Sequence, residues 1–242
     1  MDEGVLMTVE NLNAGYGDFR ALYDISMRFP KGLIVSIIGS NGAGKTTLLN
    51  AIMGVNKPVS GKVTFEGEDI TGVRTSSIVA KGVTMSPEGS HVFEDMSVHE
   101  NLLMGAYLTR SKEKLGRMLE RSYELFPALK EKSGQLADFL SGGQRQMLAI
   151  ARALMSDPKL LICDELSLGL APVVVNDIYN RILDVNGDGV TVILVEQEVQ
   201  RSLSFSDYSY VLVKGRVVME GVANELSEKE VKDAYFGINK YA

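Results

Sequence analysis

One stretch of this 242-residue chain limits its possible folds more than any other: Gly39-Ser40-Asn41-Gly42-Ala43-Gly44-Lys45-Thr46. It fits G-x-x-x-x-G-K-[ST] at every fixed position. Average residue frequencies give such a match in about 1% of chains this long. Here the context is also right. An apolar run, "LIVSII" at residues 33–38, precedes the loop, and "TTLLNAIM" follows it as far as Gly54. A buried strand passing through a glycine loop into a helix implies an α/β domain. Glycines let backbone N–H groups curl around phosphate oxygens with no Cβ in the way. The helix that follows points its positive end at the anion. Lys45 is expected to reach the β- and γ-phosphates of a nucleotide, and Thr46 to offer a hydroxyl to Mg²⁺.

The flanking sequence supports this class. "DISMRF" alternates, with Ile25, Met27 and Phe29 on one side of a strand. Gly15, Tyr16 and Gly17 read as a turn, and "GKVTFEGEDI" at residues 61–70 as strand. From about 89 to 155 the pattern turns helical. Ser97 and Glu100 stand at capping-box spacing, and Leu115, Met118, Leu119, Ser122, Leu125 and Phe126 recur at helical intervals. Strand returns at "KLLICDE", a helix follows near 173–185, and then comes "VTVILVEQ". "YVLVKGRVVME" reads as a hairpin around Lys214-Gly215, and Ser227 with Glu230 caps a last helix.

Within "LLICDELSLGLAP", an apolar run delivers Asp164 and Glu165 to the end of a strand. The first carboxylate can hold Mg²⁺ through water, and the second can polarise an attacking water. Neighbouring strand residues point to opposite faces, so the pair must act where the chain bends. The competing reading is two acids that only close a strand. Cys163, the sole cysteine, falls inside the apolar run and is expected to be a buried structural thiol. With two histidines in the chain, a histidine-built metal site is not expected.

Upstream of the acids lies "LSGGQRQMLAIARALMSDPKLLICDE", residues 140–165. Ser141 and Gln144 again have capping-box spacing, so the stretch could merely start a helix. Two glycines in a first turn are poor helix formers. They make sense where something must approach the backbone closely. A serine hydroxyl and bare N–H groups at a helix start form a second phosphate-binding surface.

With these residues the chain resembles the ATP-binding cassette family, the nucleotide-binding subunits of ABC transporters, over essentially its whole length. Leu140-Ser141-Gly142-Gly143-Gln144 matches that family's signature. "DELSLGLAP", "SPEG" and "LVEQ" look most like the ATPases of branched-chain amino acid importers. The resemblance implies a P-loop core with a mixed or parallel central sheet, an N-terminal antiparallel β subdomain and an inserted α-helical subdomain. On that basis residues 1–88 and 156–242 form the ATP-binding core and about 89–155 the signature lobe, together one nucleotide-binding domain.

It also implies a mechanism. Two cassettes, identical or different, pair head to tail and sandwich Mg-ATP. Tyr16 stacks on adenine, and Gly39, Ser40, Asn41, Gly42, Ala43, Gly44, Lys45, Thr46 and Thr47 hold the phosphates. Ser141, Gly142 and Gly143, with Gln144 completing the motif, touch the partner's γ-phosphate. Glu165 is the general base, Glu88 stands near Mg²⁺ and the transporter contact, and Gln197 senses the γ-phosphate. Tyr16 could instead be a plain turn aromatic, and Glu88 and Gln197 plain surface polar residues.

The chain departs from the family in places. Glu88 replaces a usual glutamine, Gln197 a usual histidine, and Ala171 a usual aspartate, as in the importer subgroup. Ser90-His91 stands where that subgroup tends to carry two arginines. Leu166 replaces a usual proline and restores backbone freedom and an N–H, so a looser bend at Glu165 and a live but slow ATPase are expected.

Net charge is −6, which argues against nucleic acid as the main partner. The acidic start "MDEGVLMTVE" lacks a signal-peptide pattern, and no run reaches the roughly 20 apolar residues of a membrane span. A cytoplasmic subunit, peripheral on the inner face of the membrane and reaching it only through separate permease chains, is expected. Two alternatives are a soluble cassette acting on DNA or ribosomes and a regulator that binds nucleotide without hydrolysis.

Overall fold

The computed structural model describes residues 4–236. Along the chain run β1 (Val5–Tyr16), β2 (Phe19–Pro30), β3 (Ile34–Ile38), α1 (Lys45–Ile52), β4 (Ser60–Phe65), β5 (Glu68–Asp69) and α2 (Thr75–Lys81). Next come β6 (Val83–Ser86), α3 (Val98–Gly105), α4 (Lys112–Leu125), α5 (Pro127–Glu131), α6 (Gly142–Leu154), β7 (Leu160–Asp164) and α7 (Pro172–Gly187). Last are β8 (Thr191–Glu196), α8 (Val199–Ser204), β9 (Tyr208–Val213), β10 (Arg216–Val222) and α9 (Glu228–Phe236). The chain divides into two units. One holds the residues up to Ile78 and those from Thr191 on; the other is Val79–Val190. The second unit is wider than the expected lobe at 89–155, since it takes in β6, β7 and α7. Of the expected 1–242 domain, residues 1–3 and 237–242 lie outside those described.

The first unit carries an antiparallel sheet in the order β2-β1-β4-β5. Its period-2 pattern sets the register. Met7 pairs with Phe29 and Phe65, and Val9 with Met27 and Val63, all of them buried. On the opposite face the Thr8 and Thr64 hydroxyls meet at 2.6 Å. The expected strand at 61–70 is two strands: Glu66 and Gly67, both at positive φ, turn the chain between β4 and β5. Gly15 and Tyr16 belong to β1, and the turn falls one step later, at Gly17-Asp18.

The same unit holds a mixed, mostly parallel sheet, β10-β9-β3-β8. β3 runs parallel to both β8 and β9, and β9 with β10 forms the expected hairpin through Lys214-Gly215. Every residue of β3 and β8 is buried, as a parallel sheet covered on both faces demands. Ser36 in β3 is tolerated because its hydroxyl meets that of Ser209 at 2.7 Å.

Gly54 ends the turn after α1 as expected, at φ +70. A Cβ there would lie 1.9 Å from the Val73 carbonyl oxygen. Gly54→Ala therefore combines a disfavoured backbone with a clash against main chain. It is expected to lower stability by about 3 kcal/mol, read as the midpoint shift in urea unfolding.

In the second unit β6 and β7 pair in parallel, Val83 beside Leu160 and Ser86 beside Cys163. Cys163 is fully buried. α3 and α6 both start with complete capping boxes. In α4, Met118, Ser122 and Leu125 face inward while its charges are solvated, among them the exposed Lys114–Asp157 pair at 2.7 Å. α3 ends against α6 at Gly105, where a Cβ would meet the Arg152 carbonyl oxygen at 2.0 Å.

Candidate functional site

The phosphate loop is anchored at both ends by backbone. Gly39 N–H donates to the Glu196 carbonyl at 3.1 Å, and Gly215 N–H to the Ala43 carbonyl at 2.8 Å. Gly42 and Gly44 stand at φ +78 and +105, values that strain any residue with a Cβ. Gly44 is also the N-cap of α1 and has no side chain to cap it, so the helix start keeps its N–H groups for an anion. Lys45 is 5% exposed, and its ammonium donates to the Gly39 carbonyl at 2.7 Å and the Ser40 carbonyl at 3.2 Å. Ser40, Asn41, Gly42 and Thr46 are exposed, whereas Ala43 and Thr47 are buried.

Two other expected residues fall in this unit. Tyr16, at the tip of β1, is 52% exposed, and its hydroxyl accepts from the Asn50 amide of α1 at 3.3 Å. The Asn56 amide holds the Gly15 carbonyl at 2.8 Å. The aromatic ring is thus tied to the helix that starts at the phosphate loop. Nothing in the sequence flags Asn50 or Asn56 for that task. Gln197 directly follows β8, whose last residue Glu196 pairs with Ile38, so the register sets it beside the loop's entrance.

In the second unit, Asp164 ends β7 at 5% exposure and Glu165 follows at 7%. The expected bend is real. Glu165 has φ +48, a left-handed conformation that costs an L-residue about 1–2 kcal/mol. Such strain clusters at functional sites. The turn goes on with Leu168 N–H on the Glu165 carbonyl at 3.3 Å and Gly169 at φ +72.

The capping reading of "LSGGQ" holds. Gln144 N–H donates to Ser141 Oγ at 3.3 Å, and the Gln144 side chain accepts from Ser141 N–H at 3.1 Å. The cap uses the serine oxygen as acceptor and leaves its O–H able to donate outward. The demand for close approach is met in part within the chain: a Cβ on Gly143 would meet Val174 Cγ1 at 2.4 Å. Gly142 is exposed and faces Leu170 at an ordinary 3.5 Å.

Glu88 is exposed just beyond β6. After it, Gly89, Ser90 and His91 have φ +77, +65 and +43, a left-handed run. α6 fastens that run. Ser90 O–H donates to Gln146 Oε1 at 2.7 Å, and Arg152 Nη2 to the His91 carbonyl at 2.7 Å. The Arg152 guanidinium also stacks 5.0 Å from the Phe93 ring, and burial pushes its pKa down. Gln146 and Arg152 had no signal in the sequence beyond lying on the helix after the signature.

In the first unit Thr46 offers a metal a hydroxyl, and in the second Asp164 and Glu88 each offer a carboxylate. These are hard oxygens suited to Mg²⁺. No cluster of three or more His, Cys, Asp or Glu among the described residues could cage an ion. Mg²⁺ binds through one or two carboxylates plus phosphate and water, without such a cage.

A family model described as ABC transporter matches residues 22–167. The chain is 44% identical to the high-affinity branched-chain amino acid transport ATP-binding protein BraG of Pseudomonas aeruginosa, over 96% of this chain and 100% of that one. It is 40% identical to a probable branched-chain amino acid transport ATP-binding protein of Archaeoglobus fulgidus, over 93% and 95% respectively. Its fold superposes with TM-score 0.82 on the ADP conformation of MJ1267, an ATP-binding cassette of an ABC transporter, at 30% identity and covering 96% and 95% of the two chains.

Proposed function

This chain belongs to the ABC transporter family as an ATP-binding, ATP-hydrolysing subunit, and from that premise we propose that it drives import of branched-chain or similar hydrophobic amino acids. The phosphate loop carries the nucleotide part of the reading: a glycine-turned strand-to-helix loop with Lys45 folded onto its own carbonyls. The solute comes from what its full-length relatives are named for.

The residues divide the work as follows. The loop from Gly39 to Thr46 binds the phosphates through N–H groups, with Lys45 transferring its hydrogen bonds from carbonyls to phosphate oxygens. Tyr16 stacks on adenine. By the family resemblance, Thr46 and Asp164 would hold Mg²⁺, with Glu88 near it, and the ion when bound would supply positive charge to the phosphate oxygens. Glu165 takes a proton from the attacking water, and Gln197 hydrogen-bonds the γ-phosphate. Ser141, Gly142 and Gly143 act on nucleotide held by a second cassette. Residues 1–88 and 156–242 serve as the ATP-binding core, and 89–155 pass movement to a permease. No helix among the described residues is long and apolar enough to cross a membrane. We assign the subunit to the inner face of the membrane, held there by permease chains.

Two measurements test this. Purified protein should turn over Mg-ATP well above a Glu165→Gln control. Cells lacking the gene should lose uptake of labelled leucine, isoleucine or valine and regain it with the wild-type copy; unchanged uptake of all three overturns the solute assignment. For adenine, Tyr16→Ala is expected to weaken ATP binding about 5- to 150-fold, the worth of one base–aromatic stack. Tyr16→Phe should stay within about twofold, because it keeps the ring and loses only the Asn50 bond. Titration with a fluorescent ATP analogue reads both.

A further inference from the structure

We propose that a pocket on the second unit, away from the acids and the signature, binds a hydrophobic α-amino acid, and that the bound ligand slows ATP turnover by tying α4 to the ends of α6 and α7. The binding half stands on the pocket alone; the regulatory half rests on the reading of the chain as an importing ATPase.

The pocket has a volume of about 320 Å³ and an apolar floor: Met118 and Leu125 of α4, Leu154 at the end of α6 and Val185 in the last turn of α7. Its rim carries both signs. Lys114 meets Asp157 at 2.7 Å, and Arg121 Nε donates to Asp188 Oδ2 at 2.9 Å. Arg117 lies between them on the same stripe of the helix. The carboxylate paired with it, Glu113, stands 3.7 Å away, too far for a hydrogen bond. Arg117 is 71% exposed, and a guanidinium has five donors, so it can take up an entering carboxylate. Asp157 and Asp188 can accept from an ammonium, because exposed pairs are worth little and exchange partners at small cost. Complementing the ends of α6 and α7 accounts for Lys114 and Arg121. It leaves Arg117 and the apolar hollow without a task. A dianion would meet Asp157 and Asp188, a cation would meet the basic stripe, and a sugar would leave the floor uncovered. A zwitterion with an aliphatic chain satisfies rim and floor together.

The pocket's place in the fold supplies the link to turnover. Asp157 and Pro158 lead into β7, whose far end carries Asp164 with Glu165 after it. The five residues of that strand, roughly 16 Å, separate the pocket from the acids. α6 runs from the signature to the pocket, and α7 runs to it from the turn that follows Glu165. A ligand that joins α4 to both helix ends therefore restrains the two helices whose other ends carry the signature and the turn.

Calorimetry on the full chain, with L-leucine as probe, tests the binding half. The expected Kd is at or below about 1 mM. Three analogues each remove one feature. Isopentylamine lacks the carboxylate and the 2-oxo acid of leucine lacks the ammonium; each should bind at least about fivefold more weakly. Glycine lacks the apolar chain and should give no heat over the same range. Arg117→Gln should weaken leucine binding at least about fivefold, and Arg117→Lys, which keeps the charge, should recover part of the loss. Absence of leucine binding over that range overturns the proposal. So does leucine binding that Arg117→Gln leaves unchanged, or an amine or oxo acid that binds as well as leucine. For the regulatory half, Mg-ATP turnover is compared with and without saturating leucine in each protein. Wild type should slow at least about fivefold, the low end of a usual coupling between sites. In Arg117→Gln the half-inhibiting concentration should rise by the same factor as the Kd. Turnover that bound leucine leaves unchanged overturns the regulatory half while the binding half stands. Failure of the importing-ATPase reading looks different: wild-type turnover no higher than that of Glu165→Gln, or unchanged uptake of leucine, isoleucine and valine in cells lacking the gene. It removes the regulatory half with it and leaves the calorimetry untouched.

Discussion

Glu165→Gln is expected to cut ATP turnover about 10²- to 10⁴-fold, the usual worth of a general base, while ATP binding stays intact. The substitution is nearly isosteric. It leaves the bend at φ +48 and the 7% exposure of the side chain sterically undisturbed. What it removes is basicity: an amide cannot accept the water's proton at neutral pH. Because a neutral side chain replaces a buried charge, no desolvation penalty is added. The variant should therefore fold, bind Mg-ATP and stop there. If two cassettes close on ATP and hydrolysis reopens them, the stalled variant should accumulate as a dimer. Turnover assays and light scattering under saturating Mg-ATP check both parts. Residual turnover within tenfold of wild type removes Glu165 from the role of base. A variant that stays monomeric counts against the trapped dimer. Wild-type turnover no higher than the variant's, even with the permease added, would favour the reading of a regulator that does not hydrolyse.

How much of this was legible beforehand varied with the kind of signal. The loop, the acids and the caps could be read because each is a local rule: glycines for positive φ, an apolar run for β7, Ser-x-x-Gln or Ser-x-x-Glu for a helix start. Ser141 with Gln144 and Ser97 with Glu100 form the bonds that spacing implied. Short elements with weak periodicity were missed. β6 has four residues and α2 has seven, too few for a pattern to rise above its surroundings. Contacts made by distant segments were invisible for another reason. Asn50 reaches Tyr16 across 34 positions, and Gln146 reaches Ser90 across 56. No single-sequence rule pairs such residues; the fold does. Ser90 shows the gain. Its hydroxyl, at a position where the resembled subgroup tends to carry arginine, donates to Gln146 of the signature helix, so the exchange alters a hydrogen bond as well as a charge. Gly143 shows a mixed case. The sequence demanded close approach there, and part of that demand comes from Val174 of the same chain.

Lys45→Ala should weaken Mg-ATP binding about 10²- to 10³-fold, since a charged donor to phosphate contributes about 1.5–3 kcal/mol per hydrogen bond and Lys45 has at least two to give. The structure explains why the loss is not larger. Lys45 does not wait unpaired: its ammonium already satisfies the Gly39 and Ser40 carbonyls at 2.7 and 3.2 Å. Binding exchanges these partners for phosphate oxygens, and the net gain is the difference. The same bonds imply a second effect. Without the lysine, the Gly39 carbonyl loses the 2.7 Å bond from its ammonium while the Ser40 carbonyl keeps the Ala43 N–H at 3.1 Å, so the nucleotide-free variant should also be less stable by about 1 kcal/mol. Lys45→Arg is the informative control. It keeps the charge, but a planar guanidinium is a poor fit for a 5%-exposed niche built around a compact ammonium. It should bind ATP closer to the alanine variant than to wild type. Thermal unfolding with and without Mg-ATP measures all of this in one experiment. At a concentration 100 times the wild-type Kd, nucleotide stabilises wild type by about 2.7 kcal/mol, and at the same concentration the alanine variant should gain less than about 0.5 kcal/mol. An alanine variant stabilised as strongly as wild type would mean that the lysine holds the loop and leaves the phosphates to the backbone.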